Sequence, residues 1–256
     1  MTRGHTTILQ LSDLHLFAEP EGLFHDVPTR PCFERVLGHV LQHYGSPDLA
    51  VITGDLAHDG ATATYRYLAD TLQVLQAPVY YVLGNHDHPI NAQSVYPCGT
   101  MRGDPHCLLG PWQIILLDSN HLALPGSEMG EISDAELQRL ARLSAQHADR
   151  WTVIAMHHNL PAHEDRGVCL EIRNHQRVMR YFEGLSNIKL VLSGHIHQEF
   201  VIVQQGICYL SAPATGYQSP SRSGRITGKA PGYRWLRLYD DGRFETDVRR
   251  INYWVS

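Results

Sequence analysis

Five strand-length apolar runs in this chain each deliver a side chain able to ligate a hard metal ion. TTILQLSD, DLAVITGD, VYYVLGNHD, TVIAMHH and IKLVLSGH lead to Asp13 and then His15, Asp55, Asn85, His157, and His195 followed by His197. Each residue alone has a bland explanation, since an Asp after a strand commonly shapes a turn or caps a helix. Their recurrence at successive run ends argues for a shared site. Carboxylate oxygen and imidazole nitrogen without thiolate suit zinc, manganese or iron. Seven ligands exceed what one open catalytic ion takes; they suit two ions about 3.5–4 Å apart that share a carboxylate. Asp55 is the natural bridge, because Gly54 before it permits a tight turn out of the strand. Ions held in this way lower the pKa of bound water and generate hydroxide at neutral pH.

Such a site has to be positioned by regular elements. Most of the apolar runs are nearly continuous rather than alternating, as expected of strands covered on both faces. Helix-like segments lie between them, at Phe33 to Gln42, Ala61 to Leu75, Asp134 to Gln146 and Arg173 to Phe182. Ser133 and Glu136 stand at capping-box spacing ahead of the stripe Leu137, Leu140, Leu143. Strands alternating with helices predict an α/β architecture, in which ligands bind beyond the carboxyl ends of the strands. After Gly194 come the strand-like EFVIVQQGICYLSAP, a loop from Ser219 to Pro231, and two final strands around the Asp241–Gly242 turn. The stretch from His88 to Gly110, punctuated by Pro89, Pro97, Gly99, Gly103 and Pro105, is expected to be another loop or small excursion. No repeat or linker divides the chain, so residues 1–256 are expected to form a single domain.

Composition narrows the partners. The 256 residues are 43% hydrophobic, enough for a sizeable core. The net charge of -5 disfavours nucleic acid or an anionic membrane surface as partner. Histidine is the unusual residue: its 17 copies nearly equal the 21 Lys and Arg together, which favours metal or acid-base chemistry. Cys32, Cys98, Cys107, Cys169 and Cys208 are scattered and never spaced as CxxC, so neither a disulfide framework nor a thiolate zinc site is expected. The first apolar run is short and lacks a small-residue cleavage site, and no run approaches the ~20 residues of a membrane span. The expected compartment is the cytosol.

The blocks DLH at Asp13, GDLAHDG at Gly54, GNHD at Gly84, HH at His157 and GHIH at Gly194 resemble, in order and spacing, the calcineurin-like metallophosphoesterase superfamily. The resemblance extends from Ile8 to His197. It implies a four-layer α/β/β/α sandwich with a metal site at the carboxyl ends of the strands. It further implies that Asp13, His15, Asp55 and His197 hold one metal, while Asp55, Asn85, His157 and His195 hold the other. His157 is taken over His158 because the family normally uses the first His of that pair. The cofactors implied are two divalent or mixed-valence ions, with iron, manganese and zinc all candidates. Beside them Asn85 and His86 would contact the substrate, and His86 would protonate or stabilise the departing alkoxide. Asp87 would orient His86 or its loop, a turn-forming role being equally compatible. Asp118 also ends an apolar run but matches no family ligand and is taken as structural. His58, Asp59, His121, His158 and His163 lie near the motifs, and most are expected to be solvated or core residues. Arg222, Arg225 and Lys229 are taken as solvated charges of the late loop.

The superfamily contains phosphomonoesterases, nucleases and phosphodiesterases, so the ligands alone leave the substrate open. APGYRWLRLYDDGRFETDVRR, LSAPAT at Leu210, and GHIHQ followed by EFVIVQQGICYLSAP resemble the bacterial class III 3′,5′-cyclic AMP phosphodiesterases. This resemblance implies a small phosphodiester substrate, a cyclic nucleotide with cyclic AMP foremost, hydrolysed to the 5′-monophosphate. A metal-bridging hydroxide would attack phosphorus in line while His86 assists the 3′-oxygen. The alternatives are a broad phosphodiesterase acting on glycerophosphodiesters or other small diesters, and a non-catalytic interaction scaffold like the superfamily's retromer subunit. A lost ligand or lost catalytic His would mark a scaffold, and none is lost here. A nuclease is disfavoured by the acidic charge; a homodimer stays open.

Overall fold

The computed structural model describes residues 4–120, 124, 126–160, 172–219 and 230–252. Strand β1 (His5–Leu11) is followed by a short hairpin, β2 (Leu23–Phe24) and β3 (Val27–Pro28), and by helix α1 (Thr29–His43). Then come β4 (Leu49–Thr53), α2 (Thr62–Leu72), β5 (Val79–Val82), α3 (Pro89–Gln93), β6 (Met101–Arg102) and β7 (His106–Leu109). A second alternating run contains β8 (Trp112–Leu116), α4 (Asp134–Gln146), β9 (Trp151–Ala155), α5 (His175–Glu183) and β10 (Ile188–Ser193). Finally there are β11 (Phe200–Gln204), β12 (Ile207–Ser211), β13 (Gly232–Tyr239) and β14 (Phe244–Arg250).

These strands form two six-stranded sheets, ordered β14-β13-β1-β4-β5-β6 and β11-β12-β10-β9-β8-β7. In the first, β1, β4, β5 and β6 run parallel while β13 and β14 are antiparallel additions at one side. In the second, β12, β10, β9 and β8 run parallel, with β11 and β7 antiparallel at the edges.

The continuous apolar runs have a direct structural reason, since alternate side chains of each central strand enter different cores. In β1, Leu9 and Leu11 pack with Phe33 and Val36 of α1 and Leu68 of α2. Ile8, whose side chain leaves the other face of the strand, packs with Trp112, Val153 and Leu190 of the opposite sheet. Beyond that sheet, Ile154 and Val191 meet Leu137 and Leu140 of α4 and Val178 and Phe182 of α5. The layers are helix, sheet, sheet, helix: the expected α/β/β/α sandwich.

Helix α4 starts at the predicted residue, and Ser133 Oγ accepts from Glu136 N at 3.2 Å. The capping box is only half used, because the Glu136 carboxylate instead accepts from Asp118 N at 2.9 Å and pairs with Arg139. Two stretches carry more structure than expected. His88 to Gly110 contains α3, β6 and β7, and takes the chain from an edge of one sheet to an edge of the other. Pro89 starts α3 rather than breaking structure, as suits a first helical position, and His88 Nδ1 accepts from Asn91 N at 3.3 Å. EFVIVQQGICYLSAP is a hairpin, because Gln205 and Gly206 take φ of 51° and 79°, a two-residue turn that pairs β11 with β12. Most of the late loop, with Arg222, Arg225 and Lys229, lies outside the described residues, as do His121, His163 and Cys169. Among the described residues no helix is long and apolar enough to cross a membrane.

Candidate metal centre

The loops after β1, β4 and β5 in one sheet meet those after β9 and β10 in the other. Asp13 N donates to Gly54 O at 3.1 Å, His15 N to Asp55 O at 2.9 Å, and Gly194 N to His157 O at 2.9 Å. His195 N donates to Asp13 Oδ1 at 2.9 Å and so ties the two sheets together at this edge. Asp13, His15, Asp55, His195 and His197 all have left-handed backbone, with φ of 50°, 44°, 51°, 68° and 58°. That conformation costs a residue with a side chain on the order of 1 kcal/mol. The strain is concentrated where side chains leave the strand ends and enter the site. Gly54, at φ 94°, lets His157 approach, because a Cβ there would collide with the His157 ring.

Asp13, His15, Asp55 and His197 each offer an atom within 4.8 Å of the others; His157, His158 and His195 form a second such group, and His15, His58 and His86 a third. Asp55 joins the first two groups: its Oδ2 lies 3.4 Å from His15 Nε2 and 3.5 Å from His157 Nε2. Asn85 Oδ1 is 3.0 Å from His157 Nε2, and His197 Nε2 is 3.1 Å from His15 Nε2. The outward nitrogens of three rings are committed. His157 Nδ1 donates to Thr53 O at 2.9 Å, His195 Nε2 to Glu128 O at 2.9 Å, and His197 Nδ1 to Tyr217 O at 2.8 Å. A carbonyl only accepts, so in each neutral ring the inward nitrogen is a bare lone pair. His195 Nδ1 and His157 Nε2 thus face each other at 3.2 Å as two acceptors. Asp13 Oδ2 is also buried with no hydrogen-bond partner among the described residues.

Burial sets the charge preferences of this pocket. It pushes the Asp13 carboxyl up to about 7 and, reinforced by Asp13 and Asp87, holds Asp55 well above the usual carboxylate range. Burial first, and neighbouring imidazoles second, hold His15 and His195 well below the usual range; His157 is likewise depressed, and His197 falls to about 4. These shifts favour the neutral form of the imidazoles, the form able to ligate a metal, while the buried carboxylates call for compensating positive charge. A convergence of lone pairs and carboxylate oxygens fits a binuclear metal site.

The profile of the calcineurin-like phosphoesterase family matches residues 6–199. The chain belongs to this family. It is 32% identical over 254 residues to a Pseudomonas aeruginosa protein named 3′,5′-cyclic adenosine monophosphate phosphodiesterase CpdA, covering 98% of this chain and 92% of that one. To the protein of the same name from Escherichia coli (strain K12) it is 33% identical over 248 residues, covering 95% and 89%. A solved dimetal phosphatase from Danio rerio has the same fold, with TM-score 0.62, 14% identity, and coverage of 96% of this chain and 98% of that one.

In this calcineurin-like chain, half-buried His86 donates its backbone N–H to Asp55 Oδ1 at 3.0 Å, and its ring stands edge-on to His15 with centroids 4.9 Å apart. Asp87 accepts from Leu56 N at 3.1 Å, Ala57 N at 2.9 Å, Gly84 N at 2.9 Å and Tyr65 OH at 3.1 Å. It staples the loop under Asp55 to the loop under Asn85. His158 is fully buried with Nδ1 2.9 Å from Ser119 Oγ, while His157 is the member of the pair that faces Asp55. Asp118 accepts from Asn120 N at 2.9 Å within its turn, and Asp59 holds the start of α2 through Ala61 N and Thr64 Oγ1.

His58 belongs to the site rather than to solvent or a core. Its Nδ1 is 3.3 Å from His15 Nδ1, and its ring stacks on His86 with centroids 5.0 Å apart and planes 26° apart. Phe24 stacks on His15 with centroids 4.2 Å apart. Sequence patterns miss Phe24 because β2 and β3 are two residues each, too short for any periodicity. The carbonyls of Thr53, Glu128 and Tyr217 carry no residue-type signal at all.

Proposed function

We propose that this chain is a two-metal phosphodiesterase that hydrolyses 3′,5′-cyclic nucleotides, cyclic AMP foremost, to nucleoside 5′-monophosphates. The observation that carries the two-metal reading is Asp55 Oδ2, 3.4 Å and 3.5 Å from ligand nitrogens of the two groups and so placed to bridge them. The cyclic-nucleotide assignment is supported by similarity along nearly the whole chain to proteins named cyclic AMP phosphodiesterase. Asp13, His15, Asp55 and His197 are assigned to one ion, and Asp55, Asn85, His157 and His195 to the other. Iron, manganese and zinc all accept this set of oxygen and nitrogen donors.

When bound, the ions supply positive charge for the phosphate oxygens and a nucleophile from water at neutral pH. The protein supplies the rest. Its left-handed turns and outward hydrogen bonds hold the donors before substrate arrives, so little reorganisation accompanies reaction. Asn85 and His86 meet the phosphoryl group. The P–O3′ bond breaks as a new bond to water-derived oxygen forms. Burial lowers the pKa of the His86 imidazole, so the ring first takes up a second proton, such as the one released as water becomes the nucleophile, and gives it to the departing 3′-oxygen. The presence of His86 and of every ligand in one cluster favours this reading over a scaffold.

The test is turnover by purified, manganese-loaded protein of cyclic AMP, a glycerophosphodiester and bis(4-nitrophenyl) phosphate, with products separated by chromatography. The expected product from cyclic AMP is 5′-AMP. Robust cleavage of the aryl or glycerol diester without any 5′-AMP would sink the cyclic-nucleotide assignment and leave the two-metal centre standing.

A further inference from the structure

Four candidate ligand rings turn one nitrogen into the centre, and they differ in what the other nitrogen meets. For His157, His195 and His197 it meets a backbone carbonyl, of Thr53, Glu128 and Tyr217. The fold thereby dictates the position of the proton in those neutral rings. His15 is different: its Nδ1 lies 3.3 Å from the Nδ1 of another imidazole, His58. An imidazole nitrogen either donates or accepts, so this contact admits both tautomers of His15.

We propose that His58 is the positioning residue that accepts the Nδ1 proton of His15 and so holds the ligating tautomer of His15 once metal is bound. This rests on the assignment of His15 as a metal ligand. Ligation through Nε2 requires the His15 proton on Nδ1. His58 Nδ1 then accepts that proton's hydrogen bond, and His58 carries its own proton on Nε2. Without metal the opposite arrangement satisfies the same geometry. His15 Nε2–H donates to His197 Nε2 across 3.1 Å, and His58 Nδ1–H donates to His15 Nδ1 across 3.3 Å. Metal binding switches the tautomer of both rings, and each keeps a single proton throughout.

The surroundings hold His58 in place for this. Its backbone N–H donates to Leu16 O at 2.8 Å, and Leu16 N donates in turn to Leu56 O at 3.2 Å. Its ring packs beside Phe17 and Phe24, with centroids 5.0 Å and 4.5 Å away, and stacks on His86. One ring therefore contacts both a ligand on its outer side and the proposed proton donor. Outer partners of metal-bound histidines fix the ring's orientation and raise its basicity, and their loss typically costs about 10–100-fold in metal affinity or activity.

Two measurements test the inference. In the first, zinc affinity is measured by chelator competition for wild type, His58→Phe, His58→Asn and His15→Ala. His58→Phe keeps a stacking ring but has no acceptor, and is expected to lose about 10–100-fold in affinity at one site. His58→Asn puts an amide oxygen near the Nδ1 position and is expected to recover most of that loss. Equal affinities for Phe, Asn and wild type would overturn the role of His58, provided His15→Ala still lowers zinc binding; an unaffected His15→Ala would instead remove the ligand assignment beneath it. In the second, proton–nitrogen correlation spectra of the imidazoles in wild-type protein are recorded before and after zinc. His58 is expected to change from the Nδ1–H to the Nε2–H pattern, and an unchanged tautomer would overturn the proposal even if no variant folds.

Discussion

His157 Nε2 and His195 Nδ1 face each other at 3.2 Å, and each ring's proton is already given to a backbone carbonyl on its far side. Two lone pairs so close repel unless a cation lies against both or one ring takes up a second proton. Burial opposes the second option, holding both imidazoles well below their usual range.

Replacing one member of the pair gives the first prediction. His195→Asn is expected to reduce bound metal from about two ions per chain to about one, read by plasma mass spectrometry. The metal-loaded variant is expected to melt below metal-loaded wild type, because binding to the folded state contributes to its stability. After chelation the two proteins are expected to melt close together, since without a cation the second lone pair contributes mainly repulsion. Equal melting temperatures in the metal-loaded state would contradict this account of the pair.

His86 should separate chemistry from metal binding. Its contact with Asp55 is made by the backbone, which substitution preserves. His86→Asn is expected to lower kcat for cyclic AMP by about 10²–10⁴-fold with metal content unchanged. The loss should shrink for bis(4-nitrophenyl) phosphate, whose leaving group departs readily without a proton. A loss of the same size for both substrates would remove the proton-donor role.

Asp87 should act through stability. The four donors it accepts from Leu56, Ala57, Gly84 and Tyr65 are left without their acceptor in Asp87→Ala. A buried polar group deprived of its partner is costly, and the variant is expected to lose about 3 kcal/mol in urea denaturation of the metal-free protein. Metal affinity should weaken with it, because the loops carrying Asp55 and Asn85 are no longer stapled. Wild-type stability in the variant would show that the loops hold themselves.

Much of this centre is legible in the sequence because its ingredients are local. A continuous apolar run specifies a strand buried on both faces, and the polar residue that ends it marks where the chain leaves the sheet. That pattern picks out Asp13, Asp55, Asn85, His157 and His195, and the spacing within DLH and GHIH adds His15 and His197. The α4 boundary is local for the same reason, since Ser133 and the leucine stripe lie within a few residues of each other. Pro89 shows the limit of local signals. Proline breaks a helix interior yet suits a helix start, and His88 to Gly110 acquired strands only because β5 and β8 offered edges to pair with.

What tertiary structure alone decides is which atom of each residue faces which. His195 and Asp13 are 182 residues apart and meet because two sheets bring their carboxyl ends to one edge. The tautomers of His157, His195 and His197 are set by carbonyls of Thr53, Glu128 and Tyr217, and every residue has a carbonyl, so residue type cannot reveal that role. His58 stands only three residues beyond Asp55, yet nothing in GDLAHDG shows that its ring reaches His15 rather than solvent. Residue identity determines what chemistry a side chain can do; the packing of one sheet on the other determines which lone pairs converge, and hence where a cation is needed.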